Sequence, residues 1–242
     1  MRGWWQELAG LVLPVDCAGC GASRVLLCAG CAGALSGAAA GRVRPSPAPE
    51  GLPQVHAGAV YEDAVRQVVL AHKERGALPL AGPLGAALAA AVRAGAAAAG
   101  GWAIVPVPSA RRQVRARGHD PARRIALAAA ARLRRAGVPA RVAPVLRHVR
   151  PVADQAGLGA RQRRENLTGA LGACRGAARV TAGARIVLVD DLITTGATLV
   201  EAARAVRAAS IGPVVGAAVV AAPRDSFVRI RSTTRTDQQS CE

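Results

Sequence analysis

The chain has 242 residues, 51% of them hydrophobic but only 2% aromatic, and a net charge of +17. This length admits one medium domain plus a small accessory one. The scarcity of aromatic rings argues against a single-strand nucleic-acid binder that works by base stacking. Much of the apolar fraction is alanine, so the core must rest on Val, Leu and Ile, and helices are favoured. The charge is almost entirely arginine, because Lys73 is the only lysine. It attracts polyanions or, equally, reflects an arginine- and alanine-rich composition.

In chain order, residues 1–13 read as a short amphipathic helix with Trp4, Trp5, Leu8 and Val12 on one face. No secretory leader is expected, since Glu7 and Asp16 interrupt the apolar stretch. Four of the six cysteines follow within residues 17–31. Residues 36–54 are rich in Pro, Gly, Ala and Ser and read as a linker. Structure resumes near residue 57 with a short strand and a helix from about Glu62, its Val65, Val68, Val69 and His72 at helical spacing. Residues 81–98 read as an alanine-rich helix, too weakly hydrophobic for a membrane span.

A strand is expected at Ala103–Val107, then a loop dense in arginine (Arg111, Arg112, Arg115, Arg117). Pro121–Arg135 reads as a helix, Arg141–Leu146 as a strand, and residues 147–166 as a basic loop. Arg185–Val189 is a buried strand by its unbroken apolar run. A helix at Gly196–Ala209, a strand at Val214–Ala221 and a polar tail complete the chain. Alternating strands and helices from residue 57 to 222 predict an α/β fold with a doubly wound, mostly parallel sheet. The expected organisation is knuckle and leading helix over 1–35, linker over 36–54, main domain over 55–224 and tail over 225–242.

The most informative segment runs from Ile186 to Leu199, IVLVDDLITTGATL. A buried strand delivers Asp190 and Asp191 to its C-terminal edge, where open α/β sheets bind ligands. The turn Thr194, Thr195, Gly196, Ala197, Thr198 then opens a helix. Helix N-termini offer free N–H groups and partial positive charge, which suit a phosphate. Two acids beside an anion site make sense if the ligand carries a phosphate at one end and hydroxyls in its middle, as a ribose 5-phosphate does.

This segment resembles the 5-phosphoribosyl-1-pyrophosphate (PRPP) signature of type I phosphoribosyltransferases, with every position filled. Further blocks are Tyr61-x-x-x-Val65-Arg66-x-x-Val69 with Lys73 soon after, Val105-Pro-Val-Pro108, Arg117-Gly118, the stretch from Leu146-Arg147 to Gln155, and Arg163–Asn166. In order and spacing they resemble the ComF family, named for competence for DNA uptake. Its members pair a cysteine knuckle with a type I phosphoribosyltransferase fold.

The resemblance implies Asp190 and Asp191 as the catalytic acids on the ribose hydroxyls and the Thr194–Thr198 loop on the 5′-phosphate. It implies Val107, Pro108 and Ser109 near pyrophosphate, and Arg117, Arg147, Arg163 and Lys73 as pyrophosphate-binding or lid residues, with Gln155 and Asn166 in the same basic loop. Each arginine is equally a solvated surface charge, and Lys73 equally a solvated helix end. Mg2+ would accompany PRPP. The family's Arg-Gly block continues with an aromatic residue and asparagine; here it reads His119-Asp120, which puts an acid near an anion site. His119 reads as a base or, preferably, a loop residue.

Cys17-x-x-Cys20 and Cys28-x-x-Cys31 supply four thiolates, the ligand set of a tetrahedral structural Zn2+. An iron–sulfur cluster and two disulfides are the alternatives, disfavoured by spacing and by a cytoplasmic location. The functional expectation is Mg2+-dependent phosphoribosyl transfer to an acceptor the sequence does not identify. The alternative is a non-catalytic PRPP or nucleotide sensor, or an accessory protein working with single-stranded DNA or DNA-uptake proteins.

Overall fold

The computed structural model describes residues 16–95, 101–152 and 159–228. Its elements, in chain order, begin with α1 (Ala29–Ala34), β1 (Gly41–Val43), β2 (Val55–Val60), α2 (Asp63–Glu74) and α3 (Ala81–Gly95). Then come β3 (Trp102–Pro106), α4 (Arg111–Arg117), α5 (Pro121–Arg135), β4 (Ala140–Val142) and β5 (Leu146–His148). The chain continues with α6 (Ala160–Leu167), β6 (Leu171–Ala173), α7 (Ala177–Thr181), β7 (Arg185–Leu192), α8 (Ala197–Ala208) and β8 (Val214–Ala222).

Six strands form one sheet in the order β1–β2–β8–β7–β3–β4. Only the β1–β2 pairing is antiparallel. The mostly parallel α/β architecture expected from the alternation is therefore present. Its strands are apolar on both faces, as a sheet covered on both sides requires. Ile104, Val187, Val189 and Val220 pack with Val68, Leu84, Leu88 and Ile125 of α2, α3 and α5. The residues between them, Val105, Ile186, Leu188 and Val219, pack with Leu199 and Val206 of α8. Leu84 and Leu88 are buried to within 1%. Each contributes roughly 1.5–3 kcal/mol of burial, which the flanking alanines of α3 cannot supply.

The helical run Leu78–Gly95 is, among the described residues, the one long and apolar enough to cross a membrane, and 50% of it is buried within the protein. From β3 the chain winds outward to β4; from β7 it winds the other way to β8. The switch point therefore lies between β3 and β7, and the C-terminal ends of strands at such a point are where open α/β sheets bind ligands.

Several expectations change. The segment read as a linker contributes β1 to the sheet edge. The arginine-dense loop is the helix α4, closed by Gly118 in the left-handed region at φ 74°. The strand expected over 141–146 is two short strands parted around Pro144, one in the main sheet and one paired with β6 in a separate two-stranded sheet. The basic loop over 147–166 contains most of α6. Arg224–Ser226 form a 3-10 turn and Phe227 bridges Val43, so regular structure runs past the residue where the tail was expected to begin. The helix expected over 1–13, Gln155 and residues 229–242 lie outside the described residues.

Candidate functional site

β7 runs on to Leu192, so the two acids sit inside its last turn of pleat rather than beyond it. Side chains alternate along a strand. Asp191 therefore shares the face of Val189, toward α2, and Asp190 the opposite one. The Asp191 side chain is 8% exposed, and its Oδ2 lies 2.7 Å from Lys73 Nζ at the C-terminal end of α2. Asp190 Oδ1 accepts the Asp191 N–H at 2.8 Å. Burial, and then repulsion from Asp191, push the Asp190 carboxyl up to about 8, against a smaller pull from Lys73. Burial pulls the Lys73 ammonium down, but Asp191 and Asp190 outweigh it and leave it raised.

Beyond the acids the chain turns through Thr194–Gly196 into α8. Gly196 adopts φ 76°, a conformation side chains disfavour. A Cβ there would also stand 2.9 Å from Leu52 Cδ1. Ala197 and Thr198 open the helix, so backbone N–H groups point into the turn. Thr195 Oγ1 accepts the Ala197 N–H at 3.4 Å. Arg163, from α6, donates from Nη1 to Thr194 Oγ1 at 3.1 Å, while its buried Nε has no partner among the described residues. Of the arginines assigned to a lid, Arg163 thus reaches the loop. Arg147 is exposed on β5 and makes no ion pair among the described residues.

Across the switch point, Val107 is buried and its N–H donates to Val189 O at 2.9 Å. This sets Pro108 and Ser109 beside the end of β7. His148 Nε2 donates to Pro108 O at 3.0 Å. Arg117 is engaged with Glu74, donating from Nε to Oε2 (2.9 Å) and from Nη2 to Oε1 (2.7 Å). Asp120 accepts the Arg123 N–H (3.1 Å) as N-cap of α5 and the Ser109 hydroxyl (3.4 Å). Asp120 therefore ties the Ser109 loop to a helix start. The ring nitrogens of His119 lie 3.1 Å from Arg117 O and His72 O, which makes it a turn residue packed on α2.

Consecutive residues of α2 thus hold three parts of the site: His72 meets His119, Lys73 meets Asp191 and Glu74 meets Arg117. The sequence reading missed Glu74 and His148. Glu74 had one signal, as an acid beside the only lysine; His148 had none.

The four sulfurs of Cys17, Cys20, Cys28 and Cys31 lie within 4.8 Å of one another. Cys20 and Cys28 sulfurs are 3.6 Å apart. Around one tetrahedral ion with metal–sulfur bonds of about 2.3 Å, neighbouring sulfurs stand ~3.8 Å apart, so the cluster fits one metal ion. The N–H groups of Cys28 and Cys20 draw the Cys17 thiol down to about 6, while burial and then the neighbouring sulfurs push Cys31 up. A Cβ on Gly19 would stand 2.7 Å from Cys31 Sγ and 3.1 Å from Ala64 Cβ. The knuckle therefore seats directly on the first turn of α2, the helix whose last turn holds Asp191.

With this geometry in view, residues 137–239 match the family model described as phosphoribosyl transferase domain. The match takes in β4 to β8, and with them the acid pair and the Thr-Thr-Gly-Ala-Thr loop; β1, β2 and β3 precede it and complete the main sheet. The chain thus carries a phosphoribosyltransferase domain in a mixed α/β fold, with a four-cysteine cluster in front. No curated protein matches the chain.

Proposed function

We propose that the protein binds PRPP with Mg2+ and transfers its phosphoribosyl group to an acceptor, as a cytoplasmic, ComF-type phosphoribosyltransferase with a zinc knuckle. The observation that carries this reading is convergence at one switch point: two acids, a loop that opens a helix, and Arg163 on Thr194. The N–H groups of Thr195–Thr198 receive the 5′-phosphate, with the threonine hydroxyls adding hydrogen bonds. Asp190 and Asp191 accept hydrogen bonds from the ribose hydroxyls. Val107–Ser109 face the pyrophosphate, and Arg163 and Arg147 close over it.

Transfer breaks the bond from ribose C1 to pyrophosphate oxygen, whose electron pair leaves with pyrophosphate, and forms a bond from C1 to the acceptor through the acceptor's lone pair, with positive charge growing on the ring between the two. Nearby carboxylates favour the charge on the ring and arginines the departing pyrophosphate. Mg2+ accompanying PRPP would neutralise pyrophosphate charge when bound. Arg117, paired with Glu74, positions the α4 turn. The four thiolates hold Zn2+ in a closed structural site that fastens the knuckle to α2.

Asp190→Asn together with Asp191→Asn should abolish PRPP binding while circular dichroism stays native. Unchanged affinity would refute the assigned ribose contacts. The second reading, an accessory that grips single-stranded DNA without chemistry, is favoured by the exposed Arg111, Arg112, Arg115, Arg123 and Arg124 on α4 and α5. Such a phosphate grip must weaken steeply with salt, so salt-insensitive DNA binding counts against it.

A further inference from the structure

The end of α2 presents an arrangement that phosphate and ribose binding alone do not explain. Two adjacent acids at a buried strand end repel each other, and a buried charge is costly unless it is compensated. Asp191 is 6% exposed overall, yet it receives a direct ion pair of 2.7 Å from the chain's only lysine. The other charged groups at this end are committed elsewhere. Arg117 is held by both carboxylate oxygens of Glu74, Arg163 by Thr194, and His119 lies against the carbonyls of Arg117 and His72. Among the described residues, Lys73 is the only cation within ion-pair distance of either acid. Its side chain is still 34% exposed, so Lys73 is not sealed away from solvent beneath the acids.

We infer that Lys73 is a positioning residue for the acid pair: its ammonium holds the Asp191 carboxylate in place and supplies the positive charge that a ligand-bound divalent ion would otherwise have to bring. The inference rests on the reading of the pair as acceptors for ribose hydroxyls. It assigns Lys73 to the acids rather than to pyrophosphate. A carboxylate fixed by an ion pair on one oxygen offers its other oxygen to a hydroxyl at little ordering cost. Divalent ions are then needed for a pyrophosphate group but not for the ribose. A ligand that carries the 5′-phosphate and hydroxyls without pyrophosphate should be held with little metal dependence.

Two measurements test this on the full chain. In the first, carboxyl carbons of labelled aspartates are followed by NMR through a pH titration of the native protein, Lys73→Gln and Lys73→Arg. Lys73 lowers the Asp190 carboxyl, so removing this cation should move the Asp190 titration up by about one pH unit or more in Lys73→Gln. Lys73→Arg, which keeps the charge, should restore most of it. Amide spectra of native dispersion establish that the variants are folded. A Lys73→Gln protein whose acids titrate as in the native chain overturns the inference.

In the second, ribose 5-phosphate is titrated with Mg2+ and with EDTA. The native protein should bind nearly equally in both. Lys73→Gln should bind about 10-fold more weakly in EDTA and recover with Mg2+, the counterpart of that one-unit shift. Equal metal dependence in the two proteins also overturns the inference. If neither protein binds ribose 5-phosphate, the proposed reading of the site falls, and the carboxyl titration still decides the role of Lys73.

Discussion

Glu201 provides a test of how the small β5–β6 sheet, which carries Arg147 and His148, is fixed to the domain. Its side chain on α8 is 5% exposed, and Oε1 accepts the Leu171 N–H of β6 at 2.9 Å. Arg204, one turn on, donates to both carboxylate oxygens at 2.7 and 2.8 Å and to Leu171 O at 2.8 Å. Burial raises the Glu201 carboxyl, but Arg204 and the backbone donors outweigh it and leave it below its ordinary range. Glu201→Ala strands the Leu171 N–H, at a cost of about 1–3 kcal/mol for a buried unsatisfied donor. Arg204 is 41% exposed, so water takes over much of its lost pairing and adds only about 0.5 kcal/mol.

The sum, about 1.5–3.5 kcal/mol, corresponds to a fall in Tm of roughly 3–14 °C for a chain of this size. Glu201→Gln keeps an acceptor for Leu171 and loses only the charge, so it should cost about half as much. Thermal unfolding followed by circular dichroism measures both. Equal losses in the two variants, or a Glu201→Ala protein as stable as the native one, would refute the assignment of Glu201 as the clamp on β6.

Cys28→Ser should lose about one Zn2+ per chain, and metal content that stays full in elemental analysis rejects the four-thiolate site. Gly19→Ala, whose new methyl would press on Cys31 Sγ, should weaken zinc retention in a chelator challenge; native retention would contradict the packing described. The raised Asp190 carboxyl gives a pH effect of definite sign. Its folded value is about 8 against an ordinary 3.8, so between them the folded chain holds a proton that the unfolded chain releases. That contribution is greatest at the acid end and is lost as pH rises through about 8. Native Tm should fall relative to Asp190→Asn between about pH 5 and about pH 8.5, and a native Tm that gains on the variant over that range contradicts it.

Where the chemistry is contiguous, the sequence disclosed it. The run from Ile186 to Leu199 contains strand, acids, turn and helix start within one window, and each has a local physical signature. The cysteine cluster is legible for the same reason, since two tight turns bring their sulfurs together. The contacts that complete the site are not local. Lys73 meets Asp191, Glu74 meets Arg117, and His148 meets Pro108 only because the sheet order sets distant segments side by side. The edge strand β1 and the β5–β6 pair are three residues each, too short for an alternation to stand out from loop composition. The helix α4 was masked because its arginines leave no apolar stripe, and none of its residues is buried.

Calorimetric titration of PRPP into the purified chain, with Mg2+ and with EDTA, tests the central claim most directly. Binding in the micromolar range that Mg2+ strengthens, through the pyrophosphate it neutralises, is the predicted result. Absence of heat in both conditions from a folded, zinc-loaded protein would contradict the account.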